Sequence, residues 1–174
     1  MSFNFNNKNI AFLVGHKTNK LPWRDDEYNI LCVDLKAECK SILDKVIVMG
    51  DINVFLTGME DGFSRIATEI LVEMKQMYNH IKIIPVFNDE PDVSNLSLEQ
   101  QIKFWRILAN CEERIILNDD FSTCNIDKNI YMAEKSKVCI ACWNGKPSNT
   151  ANAIKYAIEN NCFVKIIDLN YYHP

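Results

Sequence analysis

Three places in the chain set glycines and small polar residues directly after an apolar run, with basic residues close by. The first is Gly15-His16-Lys17, followed by Asn19-Lys20-Leu21-Pro22-Trp23. The second is Thr57-Gly58-Met59-Glu60-Asp61-Gly62, and the third is Asn144-Gly145-Lys146-Pro147-Ser148-Asn149-Thr150. Glycine lets a backbone turn sharply or approach a ligand closely. The start of a helix offers unpaired N–H groups and the positive end of its dipole, a setting suited to phosphate. The chemistry these segments suggest is the binding of an anion. Each also has a structural reading. Gly15 fits a plain turn beside a solvated basic pair, and Glu60 and Asp61 fit as partners for the orphan N–H groups of a helix start. Ser148, Asn149 or Thr150 fits as an N-cap, with Pro147 just before it. Two such helix starts on one sheet edge favour a shared anionic ligand more than either does alone. Asp127-Lys128-Asn129 opens a further helix after the polar stretch Asn118–Asn125, and Lys128 could face the same cleft.

Other chemistries lack their residues. The glycine pattern is neither a full G-x-G-x-x-G fingerprint nor a P-loop, whose Gly-Lys-Ser/Thr is missing. No Gly-x-Ser-x-Gly elbow and no H-E-x-x-H stretch occurs, which removes the common hydrolase and zinc-protease readings. His80 and His173 have no acidic or sulfur partners at ligand spacing, so no metal and no cofactor is expected. Seven cysteines with no apolar leader segment point to reduced thiols in a cytoplasmic protein. Cys139 and Cys142 form a C-x-x-C, but positions i and i+3 of a strand point to opposite faces, so they read as packing residues. Cys32 and Cys39, seven apart on a predicted helix, should share one buried face.

The elements that must hold the three segments follow from periodicity. Runs rich in Val, Ile and Phe predict strands at Ile10–Val14, Val54–Thr57, Ile81–Phe87, Arg114–Leu117, Val138–Trp143 and Phe163–Asp168. They are continuous rather than alternating, as a sheet covered on both faces requires. The clearest helix starts near Glu60, where Phe63, Ile66, Ala67, Ile70, Leu71, Met74 and Met77 form one apolar stripe. Glu69 lies opposite that stripe. Other helices are predicted over Asp26–Val46, Leu98–Asn110, Asp127–Glu134 and Asn149–Asn160, with the longest loop at Asn88–Ser97. Alternating strands and helices imply a Rossmann-like α/β fold, a mainly parallel sheet of about six strands with helices on both faces. Ligands of such sheets bind beyond the carboxyl ends of the strands, where the three segments fall. The 174 residues suit a single domain, preceded by a polar extension over residues 1–9.

Charge and hydropathy narrow the partners. Lysine and arginine number 19 against 23 aspartates and glutamates, a net charge of −4 that argues against nucleic acid as a partner. No apolar run approaches the roughly 18 residues of a membrane span.

The order of these motifs resembles the SLOG superfamily, in particular its YpsA-like branch of Gram-positive bacteria and their phages. That branch reads TGHRP-x-x-LPW where this chain has Val14-Gly15-His16-Lys17-Thr18-Asn19-Lys20-Leu21-Pro22-Trp23. Its GMA-x-GVD…AAE stretch is similar to Gly58-Met59-Glu60-Asp61-Gly62-Phe63-Ser64 with Ala67-Thr68-Glu69. Its RN-x-YMVD stretch is similar to Lys128-Asn129-Ile130-Tyr131-Met132-Ala133-Glu134, and its DGKPGGT turn to Asn144–Thr150. The resemblance spans about residues 10–168 and implies a Rossmann-like, homo-oligomeric protein. Its implied ligand is a nucleotide or nucleotide-derived signalling molecule, held by Gly15, His16, Lys17, Thr57, Gly58, Gly62, Ser64, Lys128, Asn129, Gly145, Lys146, Ser148, Asn149 and Thr150. Relatives in the superfamily include phosphoribohydrolases and the DNA-processing protein DprA.

The departures from the pattern bear on function. Ser148-Asn149 replaces a Gly-Gly pair, Ser64 an aspartate, and Lys17 and Lys128 arginines, which loses the bidentate fork. Asn152 and Ala153 stand where the hydrolases carry a glutamate. Glu69 is the one carboxylate the sequence places near the cleft for stabilising an oxocarbenium-like charge. The leading expectation is therefore ligand binding, for sensing or sequestration. A nucleoside-5′-monophosphate phosphoribohydrolase using Glu69 is the alternative, and a DprA-like DNA or protein-interaction module a second one.

Overall fold

The strand-length apolar runs assemble into one parallel sheet in a computed structural model that describes residues 9–120, 123 and 126–172. Its elements are β1 (Ile10–Gly15), α1 (Ile30–Val48), β2 (Val54–Thr57), α2 (Phe63–Met74), β3 (Lys82–Phe87) and α3 (Leu98–Leu108). They continue with β4 (Ile115–Ile116), α4 (Lys128–Lys135), β5 (Val138–Trp143), α5 (Asn149–Glu159) and β6 (Phe163–Asp168). The strand order is β4-β3-β2-β1-β5-β6, and every neighbouring pair is parallel. This is the expected Rossmann-like α/β fold. The chain leaves β1 toward β2 on one side, whereas β5 lies on the other, so the winding reverses between β1 and β5. That junction is the switch point where open parallel sheets bind ligands.

Both faces are covered because successive strand side chains alternate. Ala11, Leu13, Phe55, Ile140 and Cys142 pack with α1 and α2. Ile10, Phe12, Leu56, Cys139 and Ala141 pack with α4 and α5. Cys139 and Cys142 thus face opposite sides of the sheet, and Cys32 and Cys39 share the buried side of α1 with Leu35. All six described cysteines are free thiols, and burial pushes Cys39 up to about 12.

Several boundaries differ from the sequence pattern for local reasons. α1 begins at Ile30 rather than Asp26, because Asn29 caps it by accepting the Leu31 N–H and Asp26 instead accepts the Tyr28 N–H in a turn. α2 begins at Phe63 rather than Glu60: Met59 and Gly62 have φ of 50° and 95°, which no α-helix accommodates. The same helix ends at Met74, leaving Met77 exposed outside the stripe. β4 is confined to Ile115–Ile116, which pair with Val86 and Phe87 before a 3-10 turn takes over at Leu117. Among the described residues no helix is long and apolar enough to cross a membrane. Most of the N-terminal extension, part of the polar stretch Asn118–Asn125, and His173 lie outside the described residues.

Candidate functional site

At the switch point β1 ends in Gly15, held close to α2: a Cβ there would stand 2.6 Å from Phe63 Cδ1. His16 continues the sheet by donating its N–H to the Cys142 carbonyl at 3.2 Å, and its own carbonyl accepts the Phe63 N–H at 3.1 Å. The His16 ring is buried, with Nε2 2.9 Å from Asn144 Oδ1. That oxygen also accepts the Lys146 N–H at 3.1 Å, so it is an acceptor and Nε2 is the donor. The Asn144 N–H approaches the same Nε2 at 3.4 Å, but a neutral ring nitrogen cannot do both, and the shorter contact decides. Nδ1 makes no hydrogen bond among the described residues, and in the neutral ring it is the acceptor.

Gly15 and His16 form part of the wall of a cavity of about 440 Å³. Its lining comprises Val14 to Lys17, Asn19 and Lys20 after β1, Glu60 after β2, and Asn88 after β3. Asp127, Lys128 and Asn129 from the start of α4 and Ser148, Asn149 and Thr150 from the start of α5 complete it. The volume lies within the about 300–1,000 Å³ usual for small-molecule sites. Three lysines against Glu60 and Asp127 leave the lining with a net positive charge, in a chain of net charge −4. A local positive field of this kind attracts and steers anions.

The two helix starts at the cavity are capped from within. Ser148 Oγ accepts the Ala151 N–H at 3.2 Å, and Asp127 Oδ1 accepts the Asn129 N–H at 2.8 Å. Among the described residues the N–H groups of Asn149 and Thr150 have no acceptor, as expected for the first turn of α5. Glu60 is the feature that sequence reasoning assigned to helix capping instead. Its carboxylate is 2.5 Å from Lys128 Nζ, and a Cβ on Gly58 would meet Glu60 Oε2 at 2.5 Å. The open side of Gly58 is therefore filled by Glu60. Asn19, Lys20, Asn88 and Asp127 also line the cavity unassigned by sequence reasoning, since only tertiary packing aligns the ends of four strands.

Eight predicted residues come together here: Gly15, His16, Lys17, Lys128, Asn129, Ser148, Asn149 and Thr150. Thr57, Gly58, Gly62, Ser64, Gly145 and Lys146 do not line this cavity. Thr57, Ser64 and Thr68 form a buried hydroxyl network whose protons can all be placed. Thr68 Oγ1 donates to the Ser64 carbonyl at 2.7 Å, and Thr57 Oγ1 donates to Thr68 Oγ1 at 2.8 Å. Ser64 Oγ and the Met59 N–H then both donate to Thr57 Oγ1, each at 3.1 Å. These hydroxyls fasten β2 to α2. Gly62 serves the same junction: a Cβ there would collide with the His16 carbonyl oxygen, so the close approach it permits is to the chain itself. No side chain caps α2, and neither Glu60 nor Asp61 fills that role. Gly145 has φ of 79° with open space around it, and the Lys146 carbonyl accepts Trp143 Nε1–H at 2.7 Å.

Glu69 is also away from the cavity. Its carboxylate pairs with Lys103 Nζ at 2.9 Å and Arg106 Nη2 at 3.1 Å, joining α2 to α3. A helix residue opposite an apolar stripe faces either solvent or a neighbouring helix, and here α3 supplies the neighbour. A second cavity, of about 200 Å³, includes Thr18, Gly62, Arg65 and Lys103 in its lining. The Arg65 guanidinium there sits 5.5 Å from the centroid of the Phe104 ring, and burial lowers its pKa.

No protein-family model matches the chain, and no curated protein matches it significantly. Among the described residues no cluster of His, Cys, Asp and Glu could hold a metal ion. The arrangement offers lysine ammonium groups, helix-start N–H groups and one histidine acceptor to a small anionic molecule.

Proposed function

We propose that this protein binds a nucleotide or nucleotide-derived signalling molecule at the carboxyl edge of the sheet, sensing or sequestering it. The observation that carries the reading is the cavity at the β1/β5 switch point. There Lys17, Lys20 and Lys128 line the same cavity as Asn149 and Thr150, whose N–H groups open α5. A phosphate at Asn149 and Thr150 accepts from backbone donors and sits at the positive end of the α5 dipole. His16 Nδ1 supplies an acceptor for a hydroxyl or an exocyclic amino group. The motif resemblance to the YpsA-like branch supports a nucleotide rather than another phosphate, and it suggests a homo-oligomer in the cytoplasm.

Thermal-shift titration with nucleoside mono-, di- and triphosphates, cyclic dinucleotides and ADP-ribose derivatives tests the reading. A bound ligand in excess must raise the apparent stability. Failure of every member to do so would overturn it.

A second reading rests on Glu60, which lines the cavity as Asp127 does but is not used to cap a helix, where the sequence pointed to Glu69. N-glycosidic cleavage needs a carboxylate against the developing oxocarbenium charge. Release of free base from nucleoside monophosphates by the wild type, abolished in Glu60→Gln, would establish hydrolysis in place of simple binding. A DprA-like interaction with DNA has no comparable support, and a gel shift at low salt should show none.

A further inference from the structure

α3 presents an apolar stripe that none of the described residues covers. Only Phe104 and Ile107 of this helix are buried, whereas Leu98, Ile102 and Trp105 are 73%, 60% and 45% exposed. Their spacing of four and three residues puts them on one face. Alongside runs a groove of about 370 Å³ formed by Leu98, Glu99, Ile102, Lys103 and Arg106. Lys103 is already neutralised by Glu27 and Glu69, whereas Glu99 forms no ion pair among the described residues. Arg106 touches Glu69 but keeps most of its side chain in solvent. The Glu27–Lys103 pair also ties to this flank the segment before α1, with exposed Tyr28 and Ile30.

We propose that α3 is the contact face of a two-fold homodimer in which the two copies of the helix pack antiparallel, crossing near Ile102. The charge pattern selects this occupant. Glu99 lies in the first turn and Arg106 in the last, about 100° and 80° around the helix from Leu98 on the same flank of the stripe. A two-fold axis perpendicular to the helices keeps each flank facing its own equivalent while reversing direction. Glu99 of each copy therefore meets Arg106 of the other, and the two pairs form together. The same operation sets Leu98 of one copy beside Trp105 of the other and opposes the helix dipoles, which is the favourable arrangement. A parallel pairing, related by a two-fold axis along the helices, would set this flank against the opposite one and lose both Glu99–Arg106 pairs. Trp105 is already held edge-on against Phe104, with ring centroids 5.2 Å apart, so little ordering remains for it on association.

Sedimentation equilibrium of the full chain over a concentration series reads the monomer–dimer balance. The wild type should dimerise, and Ile102→Glu, at an exposed position, should be monomeric with an unchanged circular-dichroism spectrum and, at concentrations where the wild type is itself monomeric, the same melting transition. Glu99→Arg should weaken dimerisation by about tenfold, and adding Arg106→Glu should restore it. A wild type that stays monomeric at every concentration, a dimer that survives Ile102→Glu, or a charge reversal without rescue would each overturn the antiparallel α3 contact. The proposal is independent of the ligand, so its failure leaves the cavity reading untouched.

Discussion

Glu60 Oε1 stands 2.5 Å from Lys128 Nζ, an ion pair that joins the loop after β2 to the first residue of α4 at the switch-point cavity. Both side chains are partly exposed, so the pair itself contributes little to stability. Its consequence is for binding. A phosphate that takes Lys128 must displace a carboxylate, and that carboxylate then remains as a like charge nearby.

Glu60→Gln should therefore tighten the binding of a phosphate-bearing ligand by roughly tenfold, while Lys128→Met should weaken it by a similar factor. Isothermal titration calorimetry with whichever ligand stabilises the wild type checks both. Weaker binding by Glu60→Gln would mean that Glu60 holds the ligand instead of competing with it.

The junction of β2 and α2 should respond to mutation through stability alone. Gly62→Ala forces a side chain onto a backbone with φ of 95° and toward the His16 carbonyl, and should cost about 2 kcal/mol or more. Thr57→Val leaves the Met59 N–H and the Ser64 hydroxyl without their acceptor and should cost about 1–3 kcal/mol. Urea denaturation measures both losses. Neither folded variant should differ from the wild type in ligand affinity, and a selective loss of affinity in Thr57→Val would return that hydroxyl to the binding site.

Glu69→Gln tests the position from which the sequence suggested catalysis. With its carboxylate engaged by Lys103 and Arg106, the variant should lose no more than about 1 kcal/mol of stability, and high salt should shrink that difference. Ligand affinity and any release of free base should be unchanged. A specific fall in either would place Glu69 in the chemistry.

Glu27 gives the protein a pH-dependent contribution. Burial works against its charge, but hydrogen bonds from Lys103 and Lys36 outweigh it and hold the carboxyl below its ordinary value. A carboxyl depressed in the folded state adds stability that is complete above its unfolded pKa and is lost as pH falls through the folded value. The stability difference between wild type and Glu27→Gln should be constant near neutrality and shrink below a pH of about 4. Denaturation curves at several pH values read this directly, and a difference that does not vary with pH would contradict it.

Much of the architecture follows from local pattern. Continuous runs such as Val138–Trp143 can only be buried strands, the stripe from Phe63 to Met74 can only be one side of a helix, and their alternation forces parallel pairing. The sequence by itself therefore determined the Rossmann-like fold, the opposite facing of Cys139 and Cys142, and the placing of Gly15, Lys128 and Ser148 at the carboxyl edge of the sheet. What it could not determine is which residues at that edge share a space. Thr57 and Glu60 stand three positions apart in one polar turn, yet Thr57 closes a buried hydroxyl network while Glu60 reaches Lys128 across the cavity. Glu69 likewise takes its partners from a helix more than thirty residues away. Secondary structure is fixed by neighbours along the chain. The direction a polar side chain faces at a strand end is fixed by whichever loop from another strand packs beside it, and only the tertiary structure decides that.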